Sequence, residues 1–249
     1  MSTRQPEFSL TDLVGASHSF PRTQASLICF VKEDCDTCNT AAPVLEALHK
    51  AYGSKVDVLL VAQSGSGNAI FAERHQLSMP VLDDSAYKTA FEWDIESVPS
   101  VFWIDEGGNT LTQFEGFIRA DWERLNLDMN THTSLPSAQV EWASLPVWRP
   151  GCGSKHLEPQ IFDKLSADAS GSPIRARRID VASSDDVAEF MFDQGFSDGL
   201  PLVPPTPERV MRMLSGTHRD AQDVVATVAP NMGVATVEKI AINAVMAGC

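Results

Sequence analysis

The chain has 249 residues and a formal net charge of −14, because acidic residues outnumber lysines and arginines by 33 to 19. That charge argues against nucleic acid or an anionic membrane surface as a partner, since both attract clusters of basic residues. The length fits one large domain or two ordinary ones, and the hydrophobic share of 43% is ample for their cores. No stretch approaches the length of a membrane span, and the N-terminus lacks the apolar core of a secretory signal. We therefore expect a cytoplasmic protein.

The first 130 residues alternate between strand and helix patterns. Short apolar or extended segments predict strands at 27–31, 56–62, 80–82, 100–104 and 110–115. Apolar residues at helical spacing predict helices at 40–52, 69–75, 86–91 and 121–127. The Glu-Gly-Gly-Asn sequence at 106–109 predicts a hairpin between the last two strands. Parallel strands joined by helices, followed by an antiparallel hairpin, predict a layered α/β domain over residues 1–130.

The rest of the chain predicts a second, smaller unit. Residues 131–150 are polar and lack periodicity, so we predict a linker there and an α/β or α+β unit over 151–249. The predicted elements of this unit are a helix from Ser183 or Ser184 to Asp193, an extended run at 199–205, a helix at 206–214, a strand at 224–228 and a helix at 236–246. The extended run fits either a connector on its own domain or a polyproline ligand. Because the sequence stops after the last helix, we expect this unit to be incomplete.

Cys35 and Cys38 form a CxxC motif between the first apolar strand and the first helix. This position places Cys35 at the helix N-terminus, where unpaired N–H groups and the positive end of the dipole stabilise a thiolate. Cys38 lies three residues further on, on the same face and within bonding reach. A thiolate beside a second thiol suits disulfide exchange, because the thiolate is the attacking species.

Zinc binding is one alternative for a CxxC pair. A structural zinc site needs a second pair of Cys or His ligands at similar spacing. The other cysteines (Cys29, Cys152 and Cys249) form no second CxxC, and the 6 histidines are scattered. A chance pair of inert cysteines is another alternative, but the strand and helix around the motif argue against it. We predict no metal and no cofactor.

Four further motifs accompany the CxxC pair. They are the opening at residues 6–15, Pro43 in the first helix, Val98-Pro99 before the strand at 100–104, and Gly116 after the last strand. Together they resemble the thioredoxin superfamily, and within it the TlpA-like and ResA-like thiol-disulfide oxidoreductases, over about residues 6–128. The resemblance implies a thioredoxin-like fold for residues 1–130, with a central mixed sheet flanked by helices.

The resemblance also implies roles for the site residues. Cys35 would be the exposed nucleophile and Cys38 the more buried resolving thiol. Pro99 would follow a cis peptide bond, an isomer found essentially only before proline. The cis bond would hold the backbone of Val98 beside the sulfurs, where an extended substrate can pair with it. The implied partners are protein or small-molecule thiols and disulfides.

The sequence departs from thioredoxin around the CxxC motif. Asp34 and Asp36 flank Cys35, and no proline separates the two cysteines. Because negative charge disfavours a thiolate, these acids tend to raise the pKa of Cys35, against the opposing effect of the helix terminus, and the sequence does not give the balance of the two. Cys29 falls where thioredoxins keep a buried acid, and we interpret it as a packed apolar residue.

Two other functions remain open for the first domain. The opening motif also resembles peroxiredoxins, but their peroxidatic cysteine follows a threonine and has an arginine partner, whereas Glu33 and Asp34 precede Cys35 here. These two acidic residues directly before the cysteine argue against peroxide chemistry. A non-catalytic thioredoxin-like module, used for binding or for thiol–metal capture, is the other alternative.

Cys152 lies between two glycines, near basic residues that would stabilise its thiolate. The Cys-Gly-Ser sequence at 152–154 and the segment 196–210 resemble poorly characterised bacterial proteins, some of which carry selenocysteine in place of the cysteine. We predict that the first domain reduces a cysteine of the second. Cys152 is the leading candidate for this second redox site and Cys249 the other, with an inert linker cysteine as the alternative.

Overall fold

The computed structural model describes residues 4–169, 171–179, 181–182 and 186–249. The chain divides into two compact units, Met1–Glu158 and Pro159–Cys249. Residues 131–150, which the sequence predicts as a linker, and residues 151–158 therefore belong to the first unit. Specific hydrogen bonds and strand pairings hold them there. Within the described ranges, no helix is long and apolar enough to cross a membrane.

The five strands and four helices predicted over residues 1–130 all occur in the first unit, which also contains, among its described residues, six further strands that the sequence patterns did not predict. Its strands are β1 (Phe8–Thr11), β2 (Ser17–Phe20), β3 (Ser26–Val31), β4 (Asp57–Ala62), β5 (Val81–Asp83), β6 (Ser97–Val98), β7 (Ser100–Ile104), β8 (Thr110–Glu115), β9 (Phe117–Ile118), β10 (Trp148–Arg149) and β11 (Cys152–Gly153). Its α-helices are α1 (Asp36–Tyr52), α2 (Gly67–Arg74), α3 (Lys88–Glu92) and α4 (Arg119–Thr133). Short 3₁₀ turns cover Trp142–Ser144 and Lys155–Leu157.

A five-stranded mixed sheet with the order β5-β4-β3-β7-β8 forms the centre of the first unit. The central strand β3 pairs in parallel with β4 and antiparallel with β7. All six residues of β3 are buried, as expected for an apolar strand covered on both faces. The sheet confirms the predicted layered α/β architecture and fixes the point where α1 begins.

The hairpin of β1 and β2 packs on this sheet through aromatic side chains. Phe8 and Phe20 lie within 6 Å of Trp93, with ring centroids 5.9 and 5.4 Å from the indole. Trp93 in turn contacts Phe30 of β3 and Phe102 of β7 at 5.3 and 5.1 Å. These rings bury a large apolar area at favourable edge and tilted geometries.

A buried hydrogen-bond network joins α1, α4 and the chain after α4. The hydroxyl of Tyr52 donates to Asn126 Oδ1 at 2.6 Å, and the backbone N–H of Ala138 donates to the same Oδ1 at 3.0 Å. The Asn126 amide donates back to the carbonyl of Ala138 at 3.0 Å. The network anchors the segment after α4 to the first unit, which explains why it is not a free linker.

Among its described residues, the second unit combines helices with one antiparallel hairpin, consistent with the predicted α/β or α+β unit. Its elements are α5 (Pro159–Ala169), α6 (Val187–Asp193), α7 (Pro207–Leu214), β12 (Val224–Val228), β13 (Gly233–Thr236) and α8 (Val237–Met246). Helix α6 begins after Asp186, whose side chain accepts from the N–H groups of Ala188 and Glu189. The predicted caps at 183 and 184 lie outside the described residues. The N–H of Val203 donates to the carbonyl of Met246, which favours the connector interpretation of the proline-rich run.

We predict that Tyr52→Phe lowers the free energy of unfolding of the first unit by about 1–3 kcal/mol, because buried polar groups lose their partner. Tyr87→Phe is the matched control, since that side chain is partly exposed. All 5 tryptophans precede residue 159, so their fluorescence during denaturant titration reports on the first unit. Equal losses for the two variants would contradict the prediction.

Candidate active site

Cys35 caps the N-terminus of α1, as the sequence predicts. The chain leaves the buried strand β3 at Val31 and turns so that Cys35 is the N-cap residue. Its Sγ accepts a hydrogen bond from the backbone N–H of Cys38 at 3.2 Å. The sulfur thus takes the role that a side-chain oxygen has in ordinary caps. The two thiols of the CxxC motif lie side by side.

The pKa of the Cys35 thiol is lowered to about 6, chiefly by a hydrogen bond from the Cys38 thiol and, against the opposing effect of burial, by one from Cys152. The backbone N–H groups of Cys38 and Thr37 lower it further. The net shift is therefore downward, and the tendency of the two flanking acids to raise the pKa is outweighed. Hydrogen bonds to the charged sulfur dominate, and Asp34 lies 4.0 Å from the amines of both Lys32 and Lys155.

The second thiol of the pair has the opposite character. Burial raises the pKa of Cys38 well above its usual value, and the neighbouring Cys35 sulfur raises it further. Cys29 is also buried, and burial raises its pKa, which supports its interpretation as a packed residue. At neutral pH the site therefore holds one thiolate, at Cys35, beside protonated thiols.

The loop before β7 brings Val98 and Pro99 to the sulfurs. The Val98–Pro99 peptide bond is cis, as predicted from the motif. The carbonyl oxygen of Val98 lies 3.5 Å from Cys35 Sγ, and the carbonyl of Pro99 accepts from the N–H of Gly116 at 2.8 Å. The loop is therefore held between the CxxC motif and the end of β8.

Cys152 lies at this site and not in the second unit. Strand β11 pairs antiparallel with β6, which places Cys152 opposite Val98 and Gly153 opposite Ser97. Burial raises the pKa of the Cys152 thiol, and the neighbouring Cys35 sulfur raises it further, while Cys152 in turn lowers the pKa of Cys35. Cys35 is 0% exposed, so the predicted exposed nucleophile is covered in this structure.

Contacts on both sides of Cys152 hold the segment in place. The hydroxyl of Thr37, in the CxxC motif, donates to the carbonyl of Pro150 at 2.6 Å. Further along, Ser154 is buried, and its N–H donates to the carbonyl of Glu96 at 3.0 Å while its hydroxyl bonds with Gln63. Sequence reasoning missed these contacts. The glycines around Cys152 were the available signal, because glycine permits close backbone approach.

The structure brings five of the six predicted site residues together: Cys35, Cys38, Val98, Pro99 and Cys152. The sixth, Cys249, is exposed and belongs to the second unit. Among the described residues, no group of three or more His, Cys, Asp or Glu side chains is arranged to hold a metal ion.

Residues 1–111 match the model of the AhpC/TSA family. The chain is 28% identical over 110 residues to the thioredoxin-like protein YneN of Bacillus subtilis (strain 168), across 41% of this chain and 64% of that protein. It is 28% identical over 108 residues to the thiol-disulfide oxidoreductase ResA of Geobacillus kaustophilus (strain HTA426), across 41% of this chain and 62% of that protein. The chain thus spans less than two thirds of the length of either relative.

The fold of the first unit also occurs in solved structures. The solution structure of a candidate protein disulfide isomerase from Bacteroides thetaiotaomicron superposes with a TM-score of 0.50 at 14% identity, over 54% of this chain and 90% of that one. At that identity the likeness concerns the fold alone. Residues 1–111 are thus similar to the AhpC/TSA family, and the first unit has the thioredoxin-like fold that the sequence motifs predict.

Proposed function

We propose that the first unit is a thiol-disulfide oxidoreductase in which Cys35 attacks and Cys38 resolves. The observation that carries this proposal is the difference between two adjacent thiols. The pKa of Cys35 is lowered to about 6 by hydrogen bonds from the Cys38 thiol and then from Cys152, whereas burial raises that of Cys38. A nucleophile that is ionised at neutral pH beside a protonated partner suits stepwise exchange.

The first step is attack by the Cys35 thiolate on one sulfur of a substrate disulfide. The Cys35–substrate bond forms, and the other substrate sulfur leaves with the electron pair and takes a proton. Because Cys35 is then uncharged, its effect of raising the pKa of Cys38 is lost. Cys38 gives up its proton and attacks Cys35 Sγ, which releases the second substrate sulfur as a thiol and leaves a Cys35–Cys38 disulfide.

The site favours an extended polypeptide as the substrate. The backbone of Val98 lies beside the Cys35 sulfur, and the β6 edge accepts an antiparallel strand. Strand addition of this kind supplies main-chain hydrogen bonds that do not depend on the substrate's sequence. We therefore propose protein or peptide thiols and disulfides as partners. The redox potential of the pair decides whether the reaction reduces or oxidises them.

We also propose that the first unit exchanges disulfides with a cysteine of the second unit, with a narrower choice of cysteine than the sequence offered. Cys152 belongs to the first unit, so Cys249 is the candidate of the second. Its exposure would let it react with thiols outside its own fold. Peroxidase chemistry is a second candidate function, favoured by the AhpC/TSA match of residues 1–111.

We predict that Cys38→Ser/Cys152→Ser accumulates mixed disulfides with insulin or a disulfide-bonded peptide, because neither neighbouring thiol can release the adduct. The unaltered protein should accelerate insulin reduction by dithiothreitol, and Cys35→Ser should not. Mass spectrometry of non-reduced peptides identifies the sulfur that carries the adduct. Absence of both the adduct and the insulin activity would support the non-catalytic module, and faster consumption of hydrogen peroxide than of peptide disulfide would support the peroxidase.

We predict that alkylation of Cys35 by iodoacetamide accelerates with rising pH around a midpoint of about 6. Its lowered pKa means that the reactive thiolate is present above this pH and lost below it. Cys38→Ala should move the midpoint upward, because it removes the hydrogen bond that lowers the pKa most. The measurement is the rate of labelling of the Cys35 peptide at graded pH. A midpoint near the ~8.5 of an ordinary cysteine in the unaltered protein would contradict the assignment.

A further inference from the structure

We propose that residues 148–153, here called the docked segment, are a built-in substrate strand whose Cys152 exchanges into a disulfide with Cys35. This inference rests on the proposed function of Cys35 and Cys38. It assigns Cys152 to the site of the first unit as a third redox-active thiol. It also means that a strand of an arriving substrate and the docked segment compete for the same groove beside Val98.

The register of the docked segment places its thiol where a substrate thiol has to lie. Cys152 is paired with Val98 across the antiparallel β11–β6 ladder. The carbonyl oxygen of Val98 is 3.5 Å from Cys35 Sγ, so the residue opposite Val98 in the ladder lies beside that sulfur. An arriving peptide that adds a strand to β6 would need the same backbone groups of Val98. The two strands therefore exclude each other.

Two glycines allow the docked segment to lie this close to the active-site loop. A Cβ on Gly151 would meet Ser97 Oγ at 2.8 Å and the carbonyl oxygen of Val98 at 3.2 Å. A Cβ on Gly116, which has a φ of +69°, would meet the carbonyl oxygen of Arg149 and the N–H of Gly151, each at 3.0 Å. Any larger side chain at either position would push the segment away from the loop. The fit on both sides indicates a specific binding groove.

The docked segment is anchored on both sides of Cys152, which keeps its thiol at a high local concentration. After Cys152, Gly153 pairs with Ser97 and the N–H of Ser154 donates to the carbonyl of Glu96 at 3.0 Å. Strand β10 pairs with β9, so that Trp148 lies opposite Ile118 and Arg149 opposite Phe117. The Thr37 hydroxyl then holds the carbonyl of Pro150 at 2.6 Å. A tethered group of this kind reacts as if it were present at millimolar concentration or above. Exchange with Cys152 should therefore outcompete small thiols in solution.

The exchange conserves atoms and electrons and needs no added oxidant. Cys152, after losing its proton, attacks Sγ of Cys35 in the Cys35–Cys38 disulfide. The Cys35–Cys152 bond forms, the Cys35–Cys38 bond breaks, and the Cys38 sulfur leaves with the electron pair and takes the proton. The nearby Lys32 favours the Cys152 thiolate electrostatically, although burial opposes it. Reversal of the same step returns the disulfide to the CxxC pair.

The test uses the full chain carrying Cys38→Ser, incubated with glutathione disulfide, quenched in acid and analysed by peptide mass spectrometry. Cys35 first takes up glutathione, and Cys152 then attacks Cys35 Sγ and releases the glutathione as a thiol. We expect the Cys35–Cys152 peptide to exceed the Cys35–glutathione peptide by at least ~10-fold, because the reaction is intramolecular. Recovery of Cys35 bound only to glutathione would overturn this inference and leave the proposed function standing. If Cys35 takes up neither partner, the proposed function fails and the inference with it.

A matched pair of glycine variants tests whether the docked segment is responsible. Gly151→Val in the Cys38→Ser background should lower the yield of the Cys35–Cys152 disulfide by ~10-fold, because the new side chain collides with the loop. Gly233→Val should not change it, because Gly233 lies in the second unit and a Cβ there has nothing within 4 Å. In the background that retains Cys38, Gly151→Val should raise kcat/KM for a disulfide peptide and Gly233→Val should not. Equal disulfide yields from the two variants, with native tryptophan fluorescence in both, would overturn the proposal.

Discussion

The hydrogen bonds that converge on the Cys35 sulfur are the interaction on which the rest of the site depends. Burial of this sulfur alone would disfavour its charge, and two acids flank it in the sequence. The Cys38 thiol, the Cys152 thiol and the N–H groups at the start of α1 together reverse that effect and lower its pKa to about 6. The fully buried strand β3 and the cap at the start of α1 hold the sulfur at the meeting point of these donors.

The same donors explain how the site can change partners. The thiols of Cys38 and Cys152 both lower the pKa of Cys35, and burial raises the pKa of each of them. Once Cys35 enters a disulfide its charge disappears, and both thiols become better nucleophiles toward it. In this account Cys35 is the shared sulfur of two alternative disulfides, one within α1 and one to the docked segment. The disulfide to Cys152 keeps the substrate groove covered by the docked segment, whereas the disulfide to Cys38 leaves the groove able to open.

Local patterns allowed much of the first unit to be predicted, whereas pairings between distant residues were not predictable. The CxxC motif after an apolar strand located Cys35 at the helix cap, and Val98-Pro99 located the cis bond, because each signal lies within a few adjacent residues. Strands β10 and β11 have two residues each, too short to show a period, so Cys152 was assigned to the wrong unit. The net direction of the Cys35 pKa shift was not predictable, because it depends on donors brought together only by folding. Helix α5 was missed although Pro159 at its start was an available signal.

The most direct test is a redox titration of the unaltered protein in glutathione buffers, with the alkylated fraction of each cysteine counted by isotope-coded labels. The account predicts that Cys35 becomes fully protected at oxidising potentials. It also predicts that Cys38 and Cys152 are each partly protected there, with their protected fractions adding up to one disulfide per chain. A Cys152 that stays fully alkylatable at every potential would contradict the shared-sulfur account, and a Cys35 that stays alkylatable would contradict its role as the nucleophile.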